Sequence, residues 1–463
     1  MIRQIFLLIF LWNTVILSNS EVNLKCSSSR MEGYCLCHIK IDLETSLPVN
    51  AAVCDYLELE QIPNVASTEA INYLDLSHNN LKELRKDDMS DQLAEILFTL
   101  KLRHNQITDL DDNVFDAFSN LKSLDLSHNN IKTIPSKNIF SRLENLHELD
   151  LSFNELKDFQ DDLFNNLKNL RKLDLSYNNL YNIPQDSAAL LEKLGINENI
   201  LHLAMDNVGI TRIHEKYWIN FKQIKHLSIA DNPLDEIPQT APSLEYLDIS
   251  GTNITNLHEN YLNYWNLKLL RMSRMNNLVS IPQYALFNLG NLEEFFLTDS
   301  PKIENLNEFV FGFMDKNTFP RKFRRFDVSR NKLSTLNDTF EYIFEEAELV
   351  DISFNPWQCN CDLLWLKKTD SPIQRRNDFR CASPDEVINK PVLELQPRDV
   401  PNCYPEIYGK KIHQTALLLL VMLVCALIVV IIYLCLYSPS WSIKITRTKV
   451  SPDSPYSINN EQM

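Results

Sequence analysis

The stretch Leu74-Asp75-Leu76-Ser77-His78-Asn79-Asn80-Leu81 decides the fold, because it returns. Leu124, Leu126, Asn129 and Ile131 repeat its spacing, and so do Leu173, Leu175, Asn178 and Leu180. Twelve copies of L-x-L-x-x-N-x-L run through the chain, the last reading Val350, Ile352, Asn355 and Trp357. The asparagine position falls at 79, 105, 129, 154, 178, 206, 232, 252, 275, 300, 331 and 355, at intervals of 20 to 31 residues. Self-similarity at such a period marks a stacked solenoid, in which each unit buries its apolar side only against its neighbours. Leucines at alternate positions predict one short strand per unit with the leucines inward. The asparagine amide is placed to satisfy backbone groups where the chain turns. The expected architecture is an α/β solenoid: a horseshoe with a parallel sheet on its concave side.

The other half of each unit follows a different rule. Ile134-Pro135, Ile183-Pro184, Ile237-Pro238 and Ile281-Pro282 follow the turn, and proline there excludes a long helix. Phe115, Phe140, Phe164, Trp218 and Phe287 come next and are expected to fill the core behind the sheet. The convex side is therefore irregular or built of short helices. Asp206, Thr252, Met275 and Ser300 stand where asparagine is expected, so the middle is less regular than the start. The segment 305–321 reads as a longer loop.

The ends of the chain speak to topology. Residues 1–20 read as a secretory signal peptide, with Arg3 ahead of an apolar run and Ser18 and Ser20 at a small-residue cleavage site. Residues 416–437 are 22 uncharged residues, long enough to span a bilayer as a helix. Lys444, Arg447 and Lys449 follow this run, as the positive-inside rule expects, although Lys410 and Lys411 precede it. A single-pass type I plasma-membrane protein is expected, with the ectodomain outside and a short cytoplasmic tail, 438–463. The basic tail disfavours a lipid-anchor signal. The sequons Asn253-Ile254-Thr255 and Asn337-Asp338-Thr339 fit an extracellular ectodomain; both are expected on exposed turns just past a strand.

Of ten cysteines, four precede the repeats (Cys26, Cys35, Cys37, Cys54) and four follow them (Cys359, Cys361, Cys381, Cys403). Even clusters flanking a secreted solenoid read as disulfides in preference to zinc ligands, and each open end of such a core needs a cap. Cys425 and Cys435 lie in the apolar run.

The closing stretch Asn355-Pro356-Trp357-Gln358-Cys359-Asn360-Cys361-Asp362-Leu363-Leu364-Trp365-Leu366, continued by Cys381-Ala382-Ser383-Pro384 and Cys403, closely resembles the C-terminal cap of extracellular leucine-rich-repeat proteins. The first four cysteines are similar to the matching N-terminal cap, with wider spacing: eight residues part Cys26 from Cys35 and sixteen part Cys37 from Cys54. The resemblance covers about 21–403 and implies the pairs Cys359–Cys381 and Cys361–Cys403, and Cys26–Cys37 and Cys35–Cys54. It also implies a cell-surface binding protein of the broad group that holds Toll-type receptor ectodomains and neuronal leucine-rich-repeat adhesion proteins. The expected layout is signal peptide 1–20, N-terminal cysteine cap 21–70, repeats 71–354, C-terminal cap 355–405, juxtamembrane linker 406–415, transmembrane helix 416–437 and tail 438–463.

No catalytic chemistry is legible. Seven scattered glycines build no phosphate-cradling loop. His147-Glu148, His214-Glu215 and His258-Glu259 each begin a zinc-protease motif that Leu151, Trp218 and Leu262 leave incomplete. A net charge of −16 argues against nucleic acid. Neither cofactor nor metal is expected, and the partner is an extracellular or cell-surface protein, with a co-receptor in the same membrane as a further option.

Strand positions that alternate with the leucines face the concave side. One column reads Asp75, Lys101, Asp125, Asp150, Asp174, His202, Ser228, Asp248, Arg271, Phe296, Asp327, Asp351. Its seven aspartates read first as ordinary chemistry of an L-D-L-S repeat. Tyr246, Leu269, Arg271, Arg274, Phe296 and Asp299, expected on three successive strands, combine exposed aromatics with arginines and form the candidate ligand-binding patch. Three functions fit: a ligand-binding or adhesion receptor, an auxiliary subunit acting in cis on a channel or receptor, and an immune sensor or decoy without its own signalling domain.

Overall fold

A computed structural model describes residues 35–41, 48–62, 70–180, 187–212, 221–237, 242–258, 262–313, 323–367, 372–400, 403 and 417–432. The signal peptide, Cys26, Trp218, the later part of the 305–321 loop, the linker 406–415 and the tail lie outside the described residues. The chain forms two compact units, Met1–Val400 and Pro401–Met463.

The first unit is built on one sheet of fourteen strands whose spatial order follows the chain. A hairpin opens it: β1 (Leu36–Ile41) pairs antiparallel with β2 (Pro48–Val53). The rest are three-residue strands, all parallel: β3 (Tyr73–Asp75), β4 (Thr99–Lys101), β5 (Ser123–Asp125), β6 (Glu148–Asp150), β7 (Lys172–Asp174), β8 (His202–Ala204) and β9 (His226–Ser228). They continue as β10 (Tyr246–Asp248), β11 (Leu269–Arg271), β12 (Glu294–Phe296), β13 (Arg325–Asp327) and β14 (Leu349–Asp351). The central residue of each of these strands, such as Leu74, Leu173 or Phe295, is inaccessible to solvent and packs on its counterparts along the stack.

The asparagines act as a ladder behind the strand ends. Asn178 Nδ2 donates to Leu175 O within its own unit and to Leu151 O of the unit before, each at 2.9 Å, while its Oδ1 accepts Leu156 N–H at 3.2 Å. Asn79, Asn105, Asn129, Asn154, Asn232, Asn331 and Asn355 are bonded in the same way. Thr252 keeps only the inner bond, to Ile249 O at 2.9 Å. Ser300 instead uses its hydroxyl to accept Met275 N–H at 3.0 Å. The pairing of Leu203 with Leu173 and Leu227 corrects one position. The ladder site of that unit is Val208 and not Asp206, so Ala204, not His202, stands in the second strand column.

Behind the sheet the described residues run in turns, 3-10 helices and three short α-helices: α1 (Asp91–Ile96), α2 (Ser187–Leu194) and α3 (Glu341–Glu346). Ser90 caps α1 by accepting Leu93 N–H. Phe115, Phe140 and Phe164 are buried and stack at 5.9 and 6.1 Å between centroids, forming the spine of the core. Phe287 departs from expectation: it is 47% exposed and lies edge-on to Tyr284, against Gly312. The long loop contributes Val310 and Phe311 to the core, so its first part is ordinary repeat.

Disulfides close both ends. Cys35 joins Cys54 across the opening hairpin, and Cys359 joins Cys381, with Cα separations of 4.3 and 5.5 Å. Cys37, Cys361 and Cys403 are disulfide-bonded too. At the C-terminal end Trp357 and Trp365 bury their rings, and their indole N–H groups donate to Ile352 O and Leu336 O, each at 3.1 Å. In the second unit, residues 417–432 are helical. Among the described residues no helix is long and apolar enough to cross a membrane, and 433–437 of the expected span lie outside them.

Candidate protein-binding face

Each three-residue strand buries its middle side chain and presents the other two on the open side of the sheet, in two registered columns. The second column carries all seven aspartates, and each is engaged. Asp75, Asp125, Asp150, Asp174, Asp248, Asp327 and Asp351 accept the backbone N–H of the serine two residues on, at 2.9 to 3.2 Å. Four of those serines also donate their hydroxyl to the same oxygen. The L-D-L-S pattern is thus a cap for the strand end, and the acidic stripe is structural. Burial, with Asp174 and Asp125 alongside, lifts the Asp150 carboxyl to about 6 against the lowering pull of Ser152.

The candidate patch divides. Tyr246, Leu269, Arg271 and Phe296 do share the open face on β10, β11 and β12. Arg274 and Asp299 do not: they lie past the strand ends, at left-handed residues with φ of 55° and 54°. There Arg274 clamps both carboxylate oxygens of Asp231 at 2.9 Å, and Asp299 is held by Arg330 at 2.7 and 3.1 Å. Both are committed to partners within the chain.

Phe296 is only 7% exposed, which the sequence expectation of an exposed aromatic did not foresee. Two guanidinium groups cover it: Arg271 Cζ stands 4.8 Å and Arg325 Cζ 4.7 Å from the ring centre. Arg325, on the strand next to Phe296, escaped the sequence reading, although R-F-D in the L-x-L frame placed it on the same face. Neither arginine is well paired. Arg271 approaches Asp248 at 3.8 Å and Arg325 approaches Asp327 at 3.6 Å, beyond hydrogen-bond length. Among the described residues, Arg325 Nε is the one buried side-chain nitrogen or oxygen without a hydrogen-bond partner.

The adjoining first column is aromatic. His202 stacks on His226 at 4.1 Å, and His226 on Tyr246 at 5.5 Å. Burial, followed by the neighbouring His226, pushes the His202 imidazole down to about 4. Burial and the Asp248 carboxylate push the Tyr246 hydroxyl up to about 12. These rings are neutral at physiological pH, so the face offers an uncharged aromatic shelf beside two under-used cations. Of the two sequons, Asn253 is exposed in the turn after β10, whereas Asn337 is exposed as the cap of a 3-10 helix (Asp338–Phe340), well beyond its strand.

Comparison with known proteins agrees with the repeat geometry. The Leucine rich repeat family matches residues 97–156 and 144–201, and the BspA type Leucine rich repeat region matches 197–318. Osteomodulin of Rattus norvegicus is 31% identical over 289 residues, 62% of this chain and 57% of that protein. Tsukushi of Xenopus tropicalis is 40% identical over 76 residues, 16% of this chain and 22% of its own length. The chain thus matches about a fifth of Tsukushi and somewhat over half of osteomodulin. A solved chain from an octameric complex of Latrophilin 3, Unc5D and FLRT2 (LRR) shares the fold, with a TM-score of 0.51 at 23% identity, covering 79% of this chain and 98% of that one.

Proposed function

Because the chain belongs to the leucine-rich-repeat family, with disulfides near both ends of its solenoid, we propose that it is a cell-surface receptor or adhesion protein and not an enzyme. It takes a protein ligand on the open face of β10 to β13 and passes signals on only through partners. The observation that carries this reading is the Arg271–Phe296–Arg325 sandwich: two guanidinium groups that lack good partners, one with a buried unsatisfied N–H, beside the neutral shelf of His226 and Tyr246. An unsatisfied donor in a half-covered site is costly in the free protein and is relieved when a partner brings a carboxylate or carbonyl. Arginine and aromatic side chains are also the ones that carry binding energy at interfaces. The solved chain of the same fold comes from an assembly of several proteins, in keeping with a protein ligand.

Anchoring is part of the proposal. The apolar run 416–437 is read as a single membrane span, and 417–432 within it are helical. Asn253 and Asn337 are then lumenal and open to glycosylation. Alkaline extraction of membranes from expressing cells checks the anchor: release into the soluble fraction would refute it.

The binding claim is tested with the purified full chain, presented multivalently to extracellular and cell-surface proteins of its own source. Arg271→Ala with Arg325→Ala should abolish capture of a specific partner while the fold is kept. Capture that survives the double change would move the site elsewhere.

A further inference from the structure

The residue just before each ladder position has a left-handed backbone in all twelve units, and its side chain is thereby aligned along one edge of the sheet. At the N-terminal end this row is a column of rings. Tyr56, His78, His104, His128, Phe153 and Tyr177 stack in succession, with centroids 4.0 to 4.4 Å apart and planes within 8° to 27°. Their φ angles lie between 52° and 57°. Three consecutive members are histidines, so two contacts, at 4.4 and 4.0 Å, are imidazole on imidazole.

A neutral imidazole stacks like any other aromatic ring, whereas two imidazolium rings at this separation repel. The repeated backbone fixes the spacing of the residues, so a ring escapes its neighbours only by changing rotamer and giving up its stacking contacts. The charged groups around the run do not cure the repulsion. Arg103 adds a positive charge, with Nη2 3.3 Å from His128 Nε2. Asp125 is the carboxylate that acts the other way on His104 and His128. Tyr56 and Tyr177 close the row at its two ends, and Tyr177 donates its hydroxyl to Asp231 at 3.1 Å.

We propose that the His78–His104–His128 run is an acid-sensitive clasp, which holds the N-terminal repeats in register at neutral pH and loosens them in a mildly acidic compartment. Burial, then the neighbouring histidine and Arg103, holds His104 and His128 below the ordinary value of 6.5. For a base whose folded value is depressed, the stabilisation is complete above 6.5 and is lost as pH falls through the folded value. Histidine is the side chain whose ordinary titration lies in this window. The clasp is independent of the Arg271–Phe296–Arg325 face and of any partner.

Hydrogen exchange on the full chain, at pH 7.4 and pH 5.0 after correction for intrinsic rates, tests it. The expected result is at least a ten-fold loss of protection in acid for strands β3 to β6, with β11 to β14 nearly unchanged. His104→Phe keeps a ring in the stack and removes the central charge, so it should abolish most of that difference. An equal acid response in wild type and H104F, or equal loss along the whole sheet, would overturn the proposal. Should H104F fold poorly at pH 7.4, proton NMR titration of wild type decides instead. His104 and His128 titrating below free histidine support the clasp, and values at or above it refute it.

Discussion

Gly251 lies directly against the carboxylate of Asp231, two units removed from Arg274 in the same edge row. A Cβ built on Gly251 collides with Asp231 Oδ1 and stands 3.1 Å from Cγ. With no side chain between them, Arg274 reaches past Gly251 to clamp Asp231 through both oxygens. The glycine also sits at φ +68°, where an L side chain is strained.

Gly251→Ala should therefore destabilise the chain by about 1–3 kcal/mol through strain and loss of the clamp. Denaturant unfolding of the variant beside Arg274→Ala checks this. Arg274→Ala removes only an ion pair and should cost less. Equal costs would mean that the clamp, not the glycine conformation, dominates.

Phe296→Ala should behave as a core mutation and not as a surface one. Its ring is buried under two arginines, and emptying that space should cost about 3–5 kcal/mol. Arg271→Ala on the solvent side should change stability by less than about 1 kcal/mol. Thermal unfolding separates the two, and a Phe296→Ala protein as stable as wild type would show the ring to be free in solution.

Asn178→Ala should be worse than Thr252→Ala at the equivalent ladder site. The asparagine leaves Leu156 N–H and the Leu151 and Leu175 carbonyls without their partner, each worth about 1–3 kcal/mol when buried. Thr252 makes one bond to backbone, so its loss should cost about 1 kcal/mol. A ranking in the opposite order, measured by urea unfolding, would contradict the ladder.

Asp150→Asn should stabilise the protein at neutral pH. The Asp150 carboxyl is raised from 3.8 to about 6 in the fold, chiefly by burial. A raised acid contributes its stability below the unfolded value and loses it as pH rises through the folded one. An amide oxygen can still accept from Ser152. The gain should be on the order of 1–2 kcal/mol at pH 7.5 and vanish below pH ~4, as melting temperatures across pH would show.

The repeat was legible in Leu74, Leu76 and Asn79 because strand period and ladder are local properties of the sequence. The site was legible only in part. Tyr246, Leu269, Arg271 and Phe296 come from counting within the L-x-L frame. Arg274 and Asp299 sit three residues further on, where the backbone has already turned left-handed and strand counting fails. Arg325 was missed because its contact with Phe296 joins residues 29 positions apart, and only strand register brings them together. At Val208 the missing asparagine let the frame slip by two residues, and pairing of whole strands was needed to restore it.

The amides of the ladder bond within their own unit and also reach back to the one before. Asn355 serves Val328, Asn331 and Leu333, and Asn79 serves Cys54, Leu57 and Leu59; each satisfies the unit that precedes it. Each junction is therefore tied from both sides, because backbone N–H groups of the later unit also rest on carbonyls of the earlier one, as Phe98 and Thr99 do on Asn72 and Lys122 and Ser123 on Phe98. Removing a unit from either end strands buried donors or acceptors in the unit left behind. The disulfide closures at the two ends guard the places where such unravelling would begin.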